Sequence, residues 1–140
     1  MSAAGVASEV ASELSARGAR DEALGVWRER RTFGITRTPE LVPAGRAWRL
    51  GALLLDADGR LYVIGRVTRA VEPKDFNSDK TVAGEERRDL QRAAVKGGFR
   101  HGDTVNIEMT PLDTEGAQEL LGDVPLEAYL RDRADLLPEG

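Results

Sequence analysis

The chain's one histidine, His101, stands two residues before Asp103, and an imidazole oriented by a carboxylate is a recurrent acid/base pair at neutral pH. Those residue types make His101 and Asp103 the catalytic candidates. The same His-Gly-Asp run ahead of a strand also suits a solvated turn, with Asp103 bonding nearby backbone amides. No nucleophile stands out beside the pair. None of Ser2, Ser8, Ser12, Ser15 and Ser78 has a lysine three residues on or lies in a Gly-x-Ser-x-Gly elbow. With no cysteine, disulfides, thiolate nucleophiles and thiolate-bound zinc are excluded. A metal site would rest almost wholly on carboxylates, and no EF-hand spacing is present, so neither a metal nor another cofactor is implied.

A second constellation is basic. Arg28, Arg30, Arg31, Arg37, Arg46 and Arg49 face only Glu29 and Glu40 within residues 28–49, and Phe33 and Trp48 are interleaved with them. Arginines among aromatics are the ingredients of phosphate contacts with base stacking. Yet the chain has no aromatic strand motif of the RNA-recognition type, no Gly-x-x-Gly clamp and no helix-turn-helix, and its net charge is -4. Nucleic acid is therefore an unfavoured partner. Residues 111–140 carry eight acidic side chains against two arginines, and charges of opposite sign on separate segments satisfy one another in a folded chain. As binding candidates we take Arg28, Arg31, Arg37 and Arg46 with Asp75 and Asn77. The last two sit in the polar run 72–82, a loop length that is often functional or mobile. Gathering of His101, Asp103, Asp75, Asn77 and Arg46 in one pocket would favour catalysis.

These residues need elements to hold them. Val6, Val10 and Leu14, with Ala7 and Ala11, predict an amphipathic helix over residues 3–16 that Gly18 ends. Acidic Asp21 and Glu22 followed by terminal arginines predict a second helix over 21–31, with Leu24 and Trp27 facing the core. The Gly, Thr and Pro texture of residues 32–45 reads as a connector, with a further strand through 33–37. The strongest local signal is a β-hairpin, residues 47–55 and 60–70 joined by Asp56-Ala57-Asp58-Gly59. Gly84, Glu85 and Glu86 open a helix that Lys96 and Gly97 close. A strand over 104–110, stopped by Pro111, and helices over 114–121 and 125–137 complete the chain. Both tryptophans are expected in the core, as large aromatics usually are.

Two family comparisons arise from these motifs. The hairpin followed by Gly84-Glu85-Glu86-Arg87-Arg88 invites comparison with the Nudix pyrophosphohydrolases. That comparison fails over 88–97, where the paired glutamates that hold magnesium in that family are missing. The runs Gly45-Arg46-Ala47-Trp48-Arg49-Leu50-Gly51, Thr68-Arg69-Ala70, Gly84 to Arg88 and Ala93-Ala94-Val95-Lys96-Gly97-Gly98-Phe99 resemble a group of small uncharacterised bacterial proteins, some labelled glutaminase. The resemblance spans roughly residues 28–110. It carries no active site across, because serine glutaminases need Ser-x-x-Lys and amidotransferase glutaminases need a cysteine.

The sequence thus predicts one cytoplasmic α+β domain over residues 1–140, a small antiparallel sheet built on a central β-hairpin and flanked by N-terminal and C-terminal helices. The N-terminus has no secretory pattern, and no apolar run is long enough to span a bilayer. The favoured function is non-enzymatic binding of a small ligand or a protein partner, and the two apolar faces of the hairpin favour helix cover on each side or a homodimer contact. The alternatives are a small hydrolase or amidase using His101 with a carboxylate, and a weak phosphate or nucleic-acid binder along residues 28–49.

Overall fold

The computed structural model describes residues 3–29, 31–32, 34–36, 39–74 and 80–140. Among these residues four helices and a mixed seven-stranded sheet, ordered β7-β8-β1-β4-β5-β6-β9, make an α+β fold with helices at both ends of the chain. A short separate ladder joins β2 (Arg31–Thr32) to β3 (Ile35–Thr36), so part of the expected extra strand is present, while Phe33 and Arg37 lie outside the described residues. The chain forms two compact units, and the strand β4 (Glu40–Leu50) contributes residues to each.

The first unit holds residues 1–22, 46–65 and 109–140. Its sheet portion comprises the end of β4, β5 (Leu53–Asp56), β6 (Leu61–Val63) and β9 (Thr110–Leu112), all antiparallel. The expected hairpin turn at 56–59 is there, but the run 47–55 is itself a hairpin that reverses at Gly51-Ala52. Gly51 has φ 65°, and a Cβ there would land on the Tyr129 hydroxyl, which accepts the Ala52 N–H at 2.8 Å. Against these strands pack α1 (Ala3–Ala16), α3 (Thr114–Leu121) and α4 (Leu126–Asp135). Val6, Val10, Leu14, Leu50, Leu53, Leu55 and Leu130 are all buried there, which is the four-residue stripe of α1 meeting one face of the sheet.

The helix ends in this unit are closed by side chains. Asp113 caps α3, accepting from Gly116 N at 2.7 Å. Pro125 offers α4 no side-chain cap, and Gln118 serves instead, its Oε1 accepting from Leu126 N at 2.8 Å. Arg17 donates to the Leu137 carbonyl at 3.0 Å, closing the far end of α4. Pro111 falls inside β9 rather than ending a strand. As β9 is terminal in the sheet order, a residue without N–H removes a donor only from a sheet edge.

The second unit holds residues 23–45 and 66–108. Here β7 (Arg66–Arg69) pairs antiparallel with β8 (Thr104–Ile107), and β8 pairs parallel with β1 (Glu22–Arg28), Ala23 opposite Val105. The helix expected over 21–31 is therefore a strand. Its dipole-like charge pattern is outweighed by Gly25, whose Cβ would stand 3.1 Å from each of Leu41 Cδ1, Phe99 Cζ and Val105 Cγ1. One helix, α2 (Val82–Lys96), packs on this unit and is capped by Thr81, which accepts from Gly84 N at 3.1 Å, rather than by Gly84. Gly97 ends it against the Leu41 carbonyl, where a Cβ would collide with backbone. Ala23, Leu41, Ala94, Phe99, Val105 and Ile107 are the core. Trp48 is buried as expected, but Trp27 is 39% exposed.

Candidate functional site

A cavity of about 390 Å³ lies wholly in the first unit, lined by Gly59, Arg60, Leu61 and Tyr62 on one side and Pro111, Leu112, Asp113 and Thr114 on the other. Its position follows from pairing: Tyr62 lies opposite Pro111 and Leu61 opposite Leu112, so one ladder brings both runs together. The turn before β6 holds its upper wall. Gly59 takes φ 84° and donates to the Asp56 carbonyl at 3.1 Å, while Asp56 Oδ1 accepts from Asp58 N at 2.9 Å and Arg60 N at 3.0 Å.

Asp56 is a buried carboxylate, and its other oxygen, Oδ2, accepts from the Tyr62 hydroxyl at 2.8 Å. Three donors thus satisfy it, as a buried charge requires. The same bond governs Tyr62. Partial burial, then the hydrogen bond and the charge of Asp56, push the phenol above its ordinary pKa, and the nearby Arg60 guanidinium only partly opposes this. The phenol is a neutral donor near pH 7, already engaged, and is no base.

The remaining groups are also committed, with two exceptions. Asp113 is bonded to α3. Arg60 is mostly exposed and meets Asp58 only at 3.6 Å, and the Thr114 hydroxyl makes no hydrogen bond among the described residues. The cavity therefore presents Leu61, Pro111 and Leu112 as apolar wall, one guanidinium and one free hydroxyl. An apolar wall with few polar groups is the make-up common to small-molecule sites.

The residues singled out in the sequence lie elsewhere. His101 is exposed in the turn before β8, and its ring makes no hydrogen bond or ion pair among the described residues. Asp103 is half-buried, with its backbone holding that turn: its N–H donates to Arg100 O at 2.9 Å and its carbonyl accepts from Ala70 N at 3.0 Å. Arg28 pairs with Glu40 at 3.4 Å, and Arg46 with Asp21 at 2.8 Å. Arg49 forks onto Glu22 through three contacts of 2.8 to 3.2 Å. These three carboxylates belong to residues 21–40, while Arg131 in the acidic segment 111–140 binds Glu9, Glu13 and Glu127. Arg31 stands in β2, while Arg37, Asp75 and Asn77 lie outside the described residues, as do residues 75–79 of the loop that holds the last two.

Asp56, Arg60, Tyr62 and Thr114 escaped the sequence reading. Asp56 and Arg60 carried only a turn signal, and nothing local relates Tyr62 to Thr114, more than fifty residues on. Among the described residues no group of acidic or histidine side chains is arranged to hold a metal ion, and no helix is long and apolar enough to cross a membrane. No family model, curated protein or solved structure matches the chain.

Proposed function

We propose that this protein is a small-ligand-binding domain rather than an enzyme, and that its ligand is a small uncharged molecule with an apolar body and a polar head that both accepts and donates. The observation that carries the reading is the cavity between residues 59–62 and 111–114, whose volume of about 390 Å³ lies in the range of small-molecule sites. Arg60 supplies a donor for the head and Thr114 a hydroxyl that takes either role. Asp56, Asp58 and Asp113 nearby disfavour an anion, while Tyr62 is engaged by Asp56 and Asp113 holds the first turn of α3. The hydrolase reading through His101 gains no comparable support, because the ring is exposed and unaccompanied.

Three phenyl probes with different heads test this: benzamide, benzoate and benzylamine, titrated while backbone amides are followed by NMR. Benzamide is expected to move residues 59–62 and 112–114 saturably and to bind best. Arg60→Ala and Thr114→Val should each weaken it about two- to tenfold, the worth of one hydrogen bond. Absence of a saturable shift at those amides with all three probes would overturn the binding site, and a clear preference for either charged probe would overturn the uncharged ligand.

A further inference from the structure

The second unit has a cavity of its own, about 280 Å³, lined by Trp27 of β1, Arg66 of β7 and Glu86, Asp89 and Leu90 of α2. The three helix residues are spaced by three and four, which places them on one stripe of α2. Trp27 is 39% exposed where an indole is ordinarily covered, and its N–H has no acceptor among the described residues. Something about this position keeps an expensive apolar ring open to water.

Three charged residues line the cleft, and two of them have partners. Asp89 is joined to Arg92 at 3.0 Å, and Arg66 to Glu108 at 3.9 Å. Among the described residues, Glu86 is the charged lining residue whose side chain has no ion pair or hydrogen bond. An unpaired carboxylate beside an open aromatic face is what an organic cation needs: Coulomb attraction from the first and the ring quadrupole from the second. Leu90 and the indole add apolar surface for an alkyl stem of the kind that lysine and arginine lay along such walls. An anion would meet Glu86 and Asp89 instead.

We propose that this cleft binds an organic cation on a short alkyl stem, the chemistry shared by a free alkylamine and by a lysine or arginine side chain, with the charge at Glu86 and the stem against Trp27 and Leu90. The inference is independent of the cavity in the first unit, because no residue is shared.

The two indole N–H signals provide the test. Trp48 is buried and donates to Ala19 O at 3.1 Å, so its signal is the internal control for an intact fold. Butylamine, butylguanidine and the capped peptide Gly-Lys-Gly are titrated at physiological salt, with 1-butanol as the uncharged control. The amines should shift Trp27 saturably and 1-butanol should not, while Glu86→Gln weakens the amines about fivefold with Trp48 unmoved. Tighter binding of the peptide than of butylamine assigns the cation to a protein side chain, and equal or weaker binding to a free amine. An equal response to 1-butanol, an unaltered affinity in Glu86→Gln, or a Trp27 signal that no amine moves would each overturn the proposal.

Discussion

Leu50, Leu53, Leu55 and Leu130 are sealed from solvent in the unit that carries α1, α3 and α4, whereas the buried positions of the unit that carries α2 include Thr68, Arg88 and Asn106. Among the described residues the first core gathers fifteen buried apolar residues and the second seven. Stabilisation scales with apolar area, while a buried polar group at best breaks even once bonded and costs free energy if it is not. Asp56 in the first unit has three donors, and Asn106 in the second reaches the Ala23 carbonyl at 3.3 Å. Arg88 is tied to Glu85 at 2.8 Å, but the Thr68 hydroxyl is buried with no partner among the described residues. The lesson is that two units of one chain can differ in apolar mass, the first resting on the larger core and the second burying more polar side chains within a smaller one.

The largest effect should come from the apolar side. Leu130→Ala is expected to cost about 2–5 kcal/mol, the loss for a fully buried leucine, read from chemical denaturation. Native-state hydrogen exchange sharpens the comparison: amides of β7 and β8 should exchange at lower opening free energy than those of β5. Equal protection would show that the smaller core suffices. Next comes a test of the tight fit in the second unit. Gly97→Ala puts a methyl on the Leu41 carbonyl and should cost about 1–3 kcal/mol by overpacking, and a neutral result would mean that this helix end yields freely.

Thr68→Val reverses the sign. Replacing a buried, unbonded hydroxyl by a methyl of similar shape should raise stability by about 1 kcal/mol, and a loss instead would reveal a hydrogen-bond partner for Thr68. The smallest effect is electrostatic. The Arg88 hydrogen bond, and then its charge, hold the Glu85 carboxyl below its ordinary 4.5. The folded state binds this proton less readily, so the contribution is complete above that pH and fades as pH falls through the lowered value. Because Glu85 is exposed the effect is slight, and denaturation midpoints of Glu85→Gln and the parent chain should converge in acid. A gap that persists unchanged in acid would show that the carboxylate's charge is not what matters.

What was legible in the sequence was what neighbours in sequence decide. The stripe of Val6, Val10 and Leu14, the stop at Gly122 and the turn from Asp56 to Gly59 are local patterns, and the corresponding elements stand where the patterns place them. Residues 22–28 misled because acidic-to-basic ordering mimics a helix dipole, while the influence that makes them a strand is a ladder with β8, some eighty residues away. The turn at Gly51-Ala52 was hidden for a similar reason: its glycine is demanded by Tyr129 on α4. Both cavities were invisible on the same ground, since Tyr62 meets Pro111 and Trp27 meets Leu90 only after strands pair and helices dock. The hairpin leucines, whose two apolar faces called for helix cover or a homodimer contact, are buried within their own chain.

Pro111 in β9 has a further effect at high protein concentration. A strand at the end of a sheet offers its bare backbone to any other extended chain, and stacking of that kind is how fibres grow. A newcomer laid along β9 would find no N–H at Pro111 and would have to skip a rung. At the other end of the strand order, β7 carries Arg66 and Arg69, both exposed, and charged side chains on a terminal strand disfavour edge pairing. Extending this sheet into a cross-β stack thus meets a missing bond at β9 and charged side chains at β7.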